Sequence, residues 1–197
     1  MNIKRLIIVA VGGQGNLLAS KVLGEAALMA DVPLLMSEIH GMAQRGGVVE
    51  SALVFGDADS TIISDGEADV LVGFEPSETL RALNKCNPQS VVITNLSPLS
   101  PFTVTIGRGT YPRLSTLQDF IRAKTARLIA FDAAAEAKKA GNIMAVNMVL
   151  LGSLIQTGIL PLSEENIRQA IKTRTKKAFV ETNLKAFDLG FAVAAGV

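Results

Sequence analysis

The chain has 197 residues, a length that suits one ordinary domain with a substantial core, and its formal net charge is +1. One cysteine, one Tyr and no Trp exclude an internal disulfide, an iron–sulfur cluster held by four cysteines of this chain, a cysteine-rich zinc site, and nucleic-acid binding through a broad basic field or aromatic stacking. Hydrophobic residues make up 49% and charged residues 19% of the chain, against a usual charged share of ~25%, so the surface is expected to hold a large permanent interface. The lone cysteine fits a reduced, cytoplasmic setting. Residues 1–11 resemble a signal peptide only superficially, since the apolar stretch ends in glycines with no convincing cleavage site. The longest apolar segment, 143–155, is broken by Asn147, Gly152 and Ser153 and falls short of the roughly 20 residues that span a bilayer, so no membrane anchor is expected.

In chain order, residues 6–11 are apolar, β-branched and uninterrupted, as in a strand buried on both faces of a parallel sheet. A tight turn at Gly12, Gly13, Gln14 and Gly15 follows, and residues 17–29 read as a helix. Leu17, Leu18, Val22, Leu23, Ala26, Ala27 and Met29 lie on one side of it, Lys21 and Glu25 on the other. The turn thus sits at a helix N-terminus, where free backbone N–H groups and the positive dipole end favour an anion. Residues 34–39, 48–55, 70–74 and 90–94 read as extended and 77–83 as helical, an alternation that signals an α/β fold. Pro98, Pro101, Gly107, Gly109 and Pro112 make 96–113 irregular, with room for one strand at 102–106. Residues 128–131 read as another strand. The remainder reads as helical: 133–140, 145–156, 163–177 and 178–194, with Ser163 as N-cap ahead of Glu164 and Glu165. The expected architecture is one domain, 1–197, with a doubly wound, mostly parallel, Rossmann-like sheet and a helical C-terminal part.

Two sharp readings of these motifs are set aside. Ala10-Val-Gly12-Gly-Gln-Gly15 fills the G-x-G-x-x-G spacing with Ala first, and Glu38 ends the next strand where a ribose-binding acid could lie. The match is degenerate, and a glycine turn also serves plain strand–helix packing. Ser64-Asp-Gly66 with Asn95 imitates a thiamine metal–diphosphate motif, but Ser64 and Thr94 replace required residues. Asp65-Gly66 is therefore read as a turn.

A second glycine-rich turn spans Gly41 to Gly47. Met42, Gln44 and Arg45 lie between its flexible points and are costly to bury without partners, so they are expected to face a polar ligand or another protein. Arg45 offers a rigid fork suited to carboxylate or phosphate; the bland alternative pairs it with Glu38 or Glu50. His40 reads as an interface or hydrogen-bonding residue rather than a general base, and Cys86 as a helix-end residue. Asn147, a lone amide in an apolar helix, is expected to bond a loop, a partner or an internal helix contact.

Val11-Gly-Gly-Gln-Gly15, Ser37-Glu-Ile-His-Gly-Met-Ala-Gln-Arg-Gly-Gly47, Ala68-Asp-Val-Leu-Val-Gly-Phe-Glu-Pro76, Gly141-Asn142 with Asn147, and Asn183-Leu-Lys-Ala-Phe187 resemble the gamma-type domain of the 2-oxoacid:ferredoxin oxidoreductases, nearly end to end. The string at residues 40–47 looks most like the indolepyruvate type, whose small chain belongs to a two-subunit enzyme. Ala10 and Asn16 depart from the family pattern, which has glycine and an aliphatic residue there. The resemblance implies oxidative decarboxylation of an arylpyruvate with coenzyme A to an aryl-acetyl-CoA and carbon dioxide, with two electrons passing to ferredoxin. It places thiamine diphosphate, magnesium and the iron–sulfur clusters on a large partner subunit. It implies a hetero-oligomer, a homodimer when isolated, and no catalytic or metal-ligating residue in this chain. Gly12, Gly13, Gln14, Gly15, Gln44, Arg45, Gly46 and Gly47 are the candidate cofactor-facing residues, lying together at the C-terminal edge of the sheet toward the partner or the coenzyme A path. The alternatives are the gamma subunit of a pyruvate or 2-oxoglutarate enzyme, a free-standing homo-oligomeric binding protein, and a nicotinamide-dependent reductase.

Overall fold

A computed structural model of the chain describes residues 2–41 and 47–196. Its elements are β1 (Lys4–Val11), α1 (Asn16–Met29), β2 (Leu34–His40), β3 (Val48–Phe55), β4 (Ala68–Gly73), α2 (Pro76–Arg81) continued by a 3-10 turn, β5 (Cys86–Asn95) and α3 (Phe102–Thr105). Then follow α4 (Leu114–Lys124), β6 (Arg127–Phe131), α5 (Ala133–Ala140), α6 (Val146–Gln156), α7 (Glu164–Arg174) and α8 (Val180–Ala195). The strands form one sheet in the order β2-β3-β1-β4-β5-β6. β1, β4, β5 and β6 are parallel neighbours, while β3 lies antiparallel between β1 and β2.

The continuous apolar run of β1 suits its place, since every residue from Leu6 to Val11 is buried between two helical layers. One face carries Leu6, Ile8 and Ala10 against α1, α5, α6, α7 and α8. The other carries Ile7 and Val9 against the 3-10 turn after α2 and against Leu117 and Ile121 of α4. Each fully buried aliphatic side chain contributes roughly 1.5–3 kcal/mol to this arrangement.

The helical C-terminal half stands as expected. Ser163 caps α7 in a capping box with Asn166, its hydroxyl accepting from the Asn166 N–H at 3.1 Å. Asp65-Gly66 is a turn, with Gly66 at φ 77°. Three expectations are corrected. Residues 102–105 form the short helix α3, not a strand, closed by Val104 and Thr105 N–H bonds to the Pro101 carbonyl. Helix α4 has no counterpart in the sequence reading, because only Leu117 and Ile121 of it are buried and Phe120 turns outward. Leu17 and Met29, assigned to the apolar side of α1, are exposed; the buried stripe is Ala19, Val22, Leu23, Ala26 and Ala27.

α6 is buried all round from Asn147 to Ile155 because α8 covers its outer side, and glycines let their backbones touch. A Cβ on Gly152 would stand 2.0 Å from the Phe187 carbonyl oxygen, and one on Gly190 would stand 1.8 Å from that of Val149. Neither neighbour can yield without moving a helix. Gly190→Ala is expected to cost about 1–3 kcal/mol by overpacking. An unchanged urea-unfolding midpoint would show that the helices can separate freely.

Candidate functional site

Because β3 runs antiparallel beside β1, the start of β3 lies next to the end of β1, and the two glycine turns meet there. The Gly12 N–H donates to the Gly47 carbonyl at 2.8 Å, and the Gly41 N–H to the Val48 carbonyl at 2.8 Å. Gly12, Gly13, Gly15, Asn16, Leu17 and Lys21 form one wall of a cleft of about 650 Å³, with His40, Gly41, Val48 and Val49 opposite. Four of the eight candidate residues, Gly12, Gly13, Gly15 and Gly47, are thus brought together. Gln44, Arg45 and Gly46 lie outside the described residues.

Gln14 stands apart from the cleft lining. Its Oε1 accepts from the Val11 N–H at 2.8 Å and its Nε2 donates to the Phe74 carbonyl at 3.3 Å. One end of the amide closes the turn on β1 and the other ties it to the residue that follows β4. Gly15 is the N-cap of α1 at φ 88°, a left-handed conformation that glycine adopts without strain. No side chain caps the helix and its first turn holds no acid, so the positive end opens toward the cleft.

Behind Gly15 stands Asn147, 3% exposed, whose Nδ2 donates to the Gly15 carbonyl at 3.3 Å while its Oδ1 accepts from the Met148 N–H. It is the loop-bonding amide anticipated above. Asn16, the departure from the family pattern, is 5% exposed, and neither polar atom of its amide has a partner among the described residues; the Ser20 hydroxyl one turn later is likewise unpartnered. A polar residue in the first turn, on the same helix face as Ser20 and Leu23, was the available sign of that position.

The alternatives for these motifs can be placed. Glu38 lies on β2, two strands from β1, with its Oε1 accepting from Ser51 and its Oε2 3.5 Å from His40 Nε2. It is engaged there, with β3 between it and the glycine turn. Asp65 precedes β4 and is bonded by Asn84 at 2.8 Å, whereas Asn95 ends β5, with its Oδ1 accepting from Ala133 and its Nδ2 donating to the Phe74 carbonyl. The length of a six-residue strand, ~20 Å, separates them, so they do not fit one metal–diphosphate site. Cys86 is the first residue of β5, just after the 3-10 turn; its thiol is buried and pushed up to about 11 by that burial. It fits neither a cluster ligand nor a nucleophile.

A feature that sequence reasoning missed lies at the end of β4. Glu75, 1% exposed, caps α2 by accepting from the Glu78 N–H, and also accepts from the Leu99 N–H and the Tyr111 hydroxyl. One carboxylate thereby ties the irregular segment to the C-terminal edge of the sheet. Burial and hydrogen bonding to Glu75 push the Tyr111 hydroxyl well above its usual range.

Against this geometry the chain can be compared with known proteins. A family model described as pyruvate ferredoxin/flavodoxin oxidoreductase matches residues 5–193. The chain belongs to this family. It is 39% identical to the indolepyruvate oxidoreductase subunit IorB of Methanothermobacter thermautotrophicus, covering 96% of this chain and 97% of that one, and 40% identical to IorB of Pyrococcus horikoshii, covering 96% and 95%. More distant members include a 2-oxoglutarate synthase subunit KorC of M. thermautotrophicus at 28%, and a ketoisovalerate oxidoreductase subunit VorA of Methanothermobacter marburgensis at 28%. The match spans 94% of this chain but only 35% of VorA. The crystal structure of the keto/oxoacid ferredoxin oxidoreductase gamma subunit from Geobacter sulfurreducens, 24% identical, superposes with a TM-score of 0.72 over 98% of this chain and 99% of that one. That likeness establishes the fold. In this family member no helix among the described residues is long and apolar enough to cross a membrane.

The geometry fixes two expected outcomes. Asn147→Leu should cost about 0.5–1.5 kcal/mol in urea unfolding, since it removes one of two donors to the partly buried Gly15 carbonyl, which keeps the Ala19 N–H; an unchanged midpoint would show that the bond contributes nothing. Glu78 is buried with Oε2 unpartnered, and desolvation raises its carboxyl pKa ahead of the opposing pull of Arg81. A folded pKa above the unfolded one means that the folded state holds the proton more tightly, so stability falls as pH rises past the ordinary carboxylate range. Glu78→Gln should therefore raise the melting temperature at pH 7 and lose that advantage toward pH 4. An equal gain at both pH values would refute the assignment.

Proposed function

We propose that this chain is the small subunit of an indolepyruvate-type 2-oxoacid:ferredoxin oxidoreductase. The observation that carries the reading is the gap in identity: 38–40% to four IorB subunits over at least 94% of the chain, against 25–28% to the 2-oxoglutarate and ketoisovalerate subunits. The complex would convert an arylpyruvate, Ar-CH2-CO-COO⁻, and CoA-SH to Ar-CH2-CO-S-CoA, CO2, one proton and two electrons, the electrons leaving to ferredoxin. Thiamine diphosphate, magnesium and the iron–sulfur clusters would reside on the large chain. The single buried Cys86 and the separated Asp65 and Asn95 support that division.

This chain's own part would be to present the cleft at Gly12–Gly15 and Gly41–Gly47 to the partner and to the coenzyme A path. The uncapped end of α1 offers N–H groups to an anionic group there, and Arg45 would add a cation from the second turn. Gln14 would shape the turn, and Gln44, Gly46 and Gly47 would line the approach.

Anaerobic purification of the tagged chain from its own source should bring down a large, coloured, thiamine-bearing chain. The complex should reduce ferredoxin faster with indolepyruvate than with pyruvate or 2-oxoglutarate. A colourless homo-oligomer would instead favour a binding protein, and a preference for 2-oxoglutarate would move the substrate. Arg45→Ala should raise the KM for coenzyme A about tenfold, equivalent to ~1.4 kcal/mol, with the complex intact. Unchanged assembly together with an unchanged KM would remove Arg45 from the site.

A further inference from the structure

β2 is the edge of the sheet, and apart from one carboxylate, Glu38, which Ser51 and His40 engage, it lacks the features that ordinarily keep an edge strand solitary. It is seven residues long and pairs with β3 in unbroken register from Leu34 to His40, without a bulge. It contains no lysine and no proline. Its side chains are uncovered on both faces of the sheet: Met36 protrudes beside α1, while Leu35 and Ile39 protrude on the other face, with Ile39 66% exposed. Leu28 and Leu17 of α1 continue the apolar surface. The opposite edge shows the contrast. β6 is shorter, and the Arg127 guanidinium beside it donates to the Ala194 carbonyl of α8.

Resting on the subunit reading, we propose that the β2 edge is the docking seam for the large catalytic chain, which adds an extended apolar segment to the sheet alongside Leu35, Met36 and Ile39. Two observations select that occupant over a second copy of this chain. In VorA the matched region is only 35% of the protein, so a domain of this family also occurs with further oxidoreductase chain beside it. β2 also runs directly into His40 and Gly41 on the wall of the glycine-turn cleft. A chain docked on β2 therefore abuts the cleft. The low charged fraction of 19% is consistent with a surface of this kind covered permanently.

The test uses the co-expressed complex. In hydrogen exchange, the amides of β2 should gain at least tenfold protection in the complex relative to the isolated chain, as ladder bonds form on the free edge. The double variant Met36→Lys/Ile39→Lys should retain less than about a tenth of the large chain in affinity purification, with the melting temperature of the isolated chain unchanged. Phe120→Lys on α4, exposed and remote from β2, should retain it fully. Full retention by the double variant, or β2 amides that exchange equally with and without the large chain, would overturn the proposal. So would loss of a homodimer with the large chain retained, which would assign the seam to a second copy. A wild-type chain that captures no thiamine-bearing partner would refute the subunit reading itself, an outcome visible before any variant is made. Should the double variant fail to fold, the exchange measurement on the wild-type complex still decides.

Discussion

The antiparallel pairing of β3 against β1 is the constraint on which the site depends. In a doubly wound sheet built only of parallel strands, every strand end at one edge is followed by a turn into a helix, and neighbouring turns diverge. A reversed strand beside β1 brings the start of one element next to the end of another. Gly47, just ahead of β3, thus comes within hydrogen-bonding distance of Gly12, just after β1. The same reversal moves β2 to the outer edge and takes Glu38 away from the glycine turn. One change of strand direction therefore assembles the two-turn cleft and dismantles the geometry that a dinucleotide fold would need.

The turn itself is held from three sides by amides. Gln14 fastens it to the Phe74 carbonyl, Asn95 donates to that same carbonyl from the end of β5, and Asn147 reaches Gly15 from the start of α6. Asn147 can do so only because α6 is fixed against α8 by the contacts at Gly152 and Gly190. The position of a cleft-lining glycine is thus set by packing in the C-terminal half of the chain. Buried amides suit this task, since each costs free energy unless its partner stays in place, which penalises alternative positions of the turn.

Where one periodicity or one residue type dominates, the sequence discloses the structure. β1 is a continuous apolar run, Ser163 precedes two acids, and the glycines mark a strand-to-helix turn; all three are local signals. What escaped depends on which surfaces are covered by something distant. α4 needs only Leu117 and Ile121 to hold it, too few for a distinct stripe, and the α3 segment closes on Pro101 through backbone bonds that leave no side-chain pattern. Leu17 and Met29 read as core because their spacing fits a helix face, yet both stand exposed at the margin of the buried stripe. Glu75 was invisible for the same reason, since its value as a cap comes from Leu99 and Tyr111, which only the fold brings near. In the candidate site the glycines were legible, the buried Asn16 was marked only as a departure, and the two bonds that hold the Gln14 amide were not foreseen.

The misread residues of α1 bear on what the fold is for. A hydrophobic pattern in the sequence reports that a side chain is sheltered from water in the working protein, without saying by which chain. Leu17 and Met29 on α1 and Leu35, Met36 and Ile39 on β2 satisfy such a pattern and are uncovered within this chain. Scattered singly they would need no explanation. Leu17 and the three residues of β2 are instead grouped at one edge strand, in a chain with fewer charges than usual, and that strand leads into a cleft flanked by an uncapped helix end. Shelter on the edge and chemistry in the cleft are then both supplied from outside, and a single docking event at β2 would meet the two requirements together.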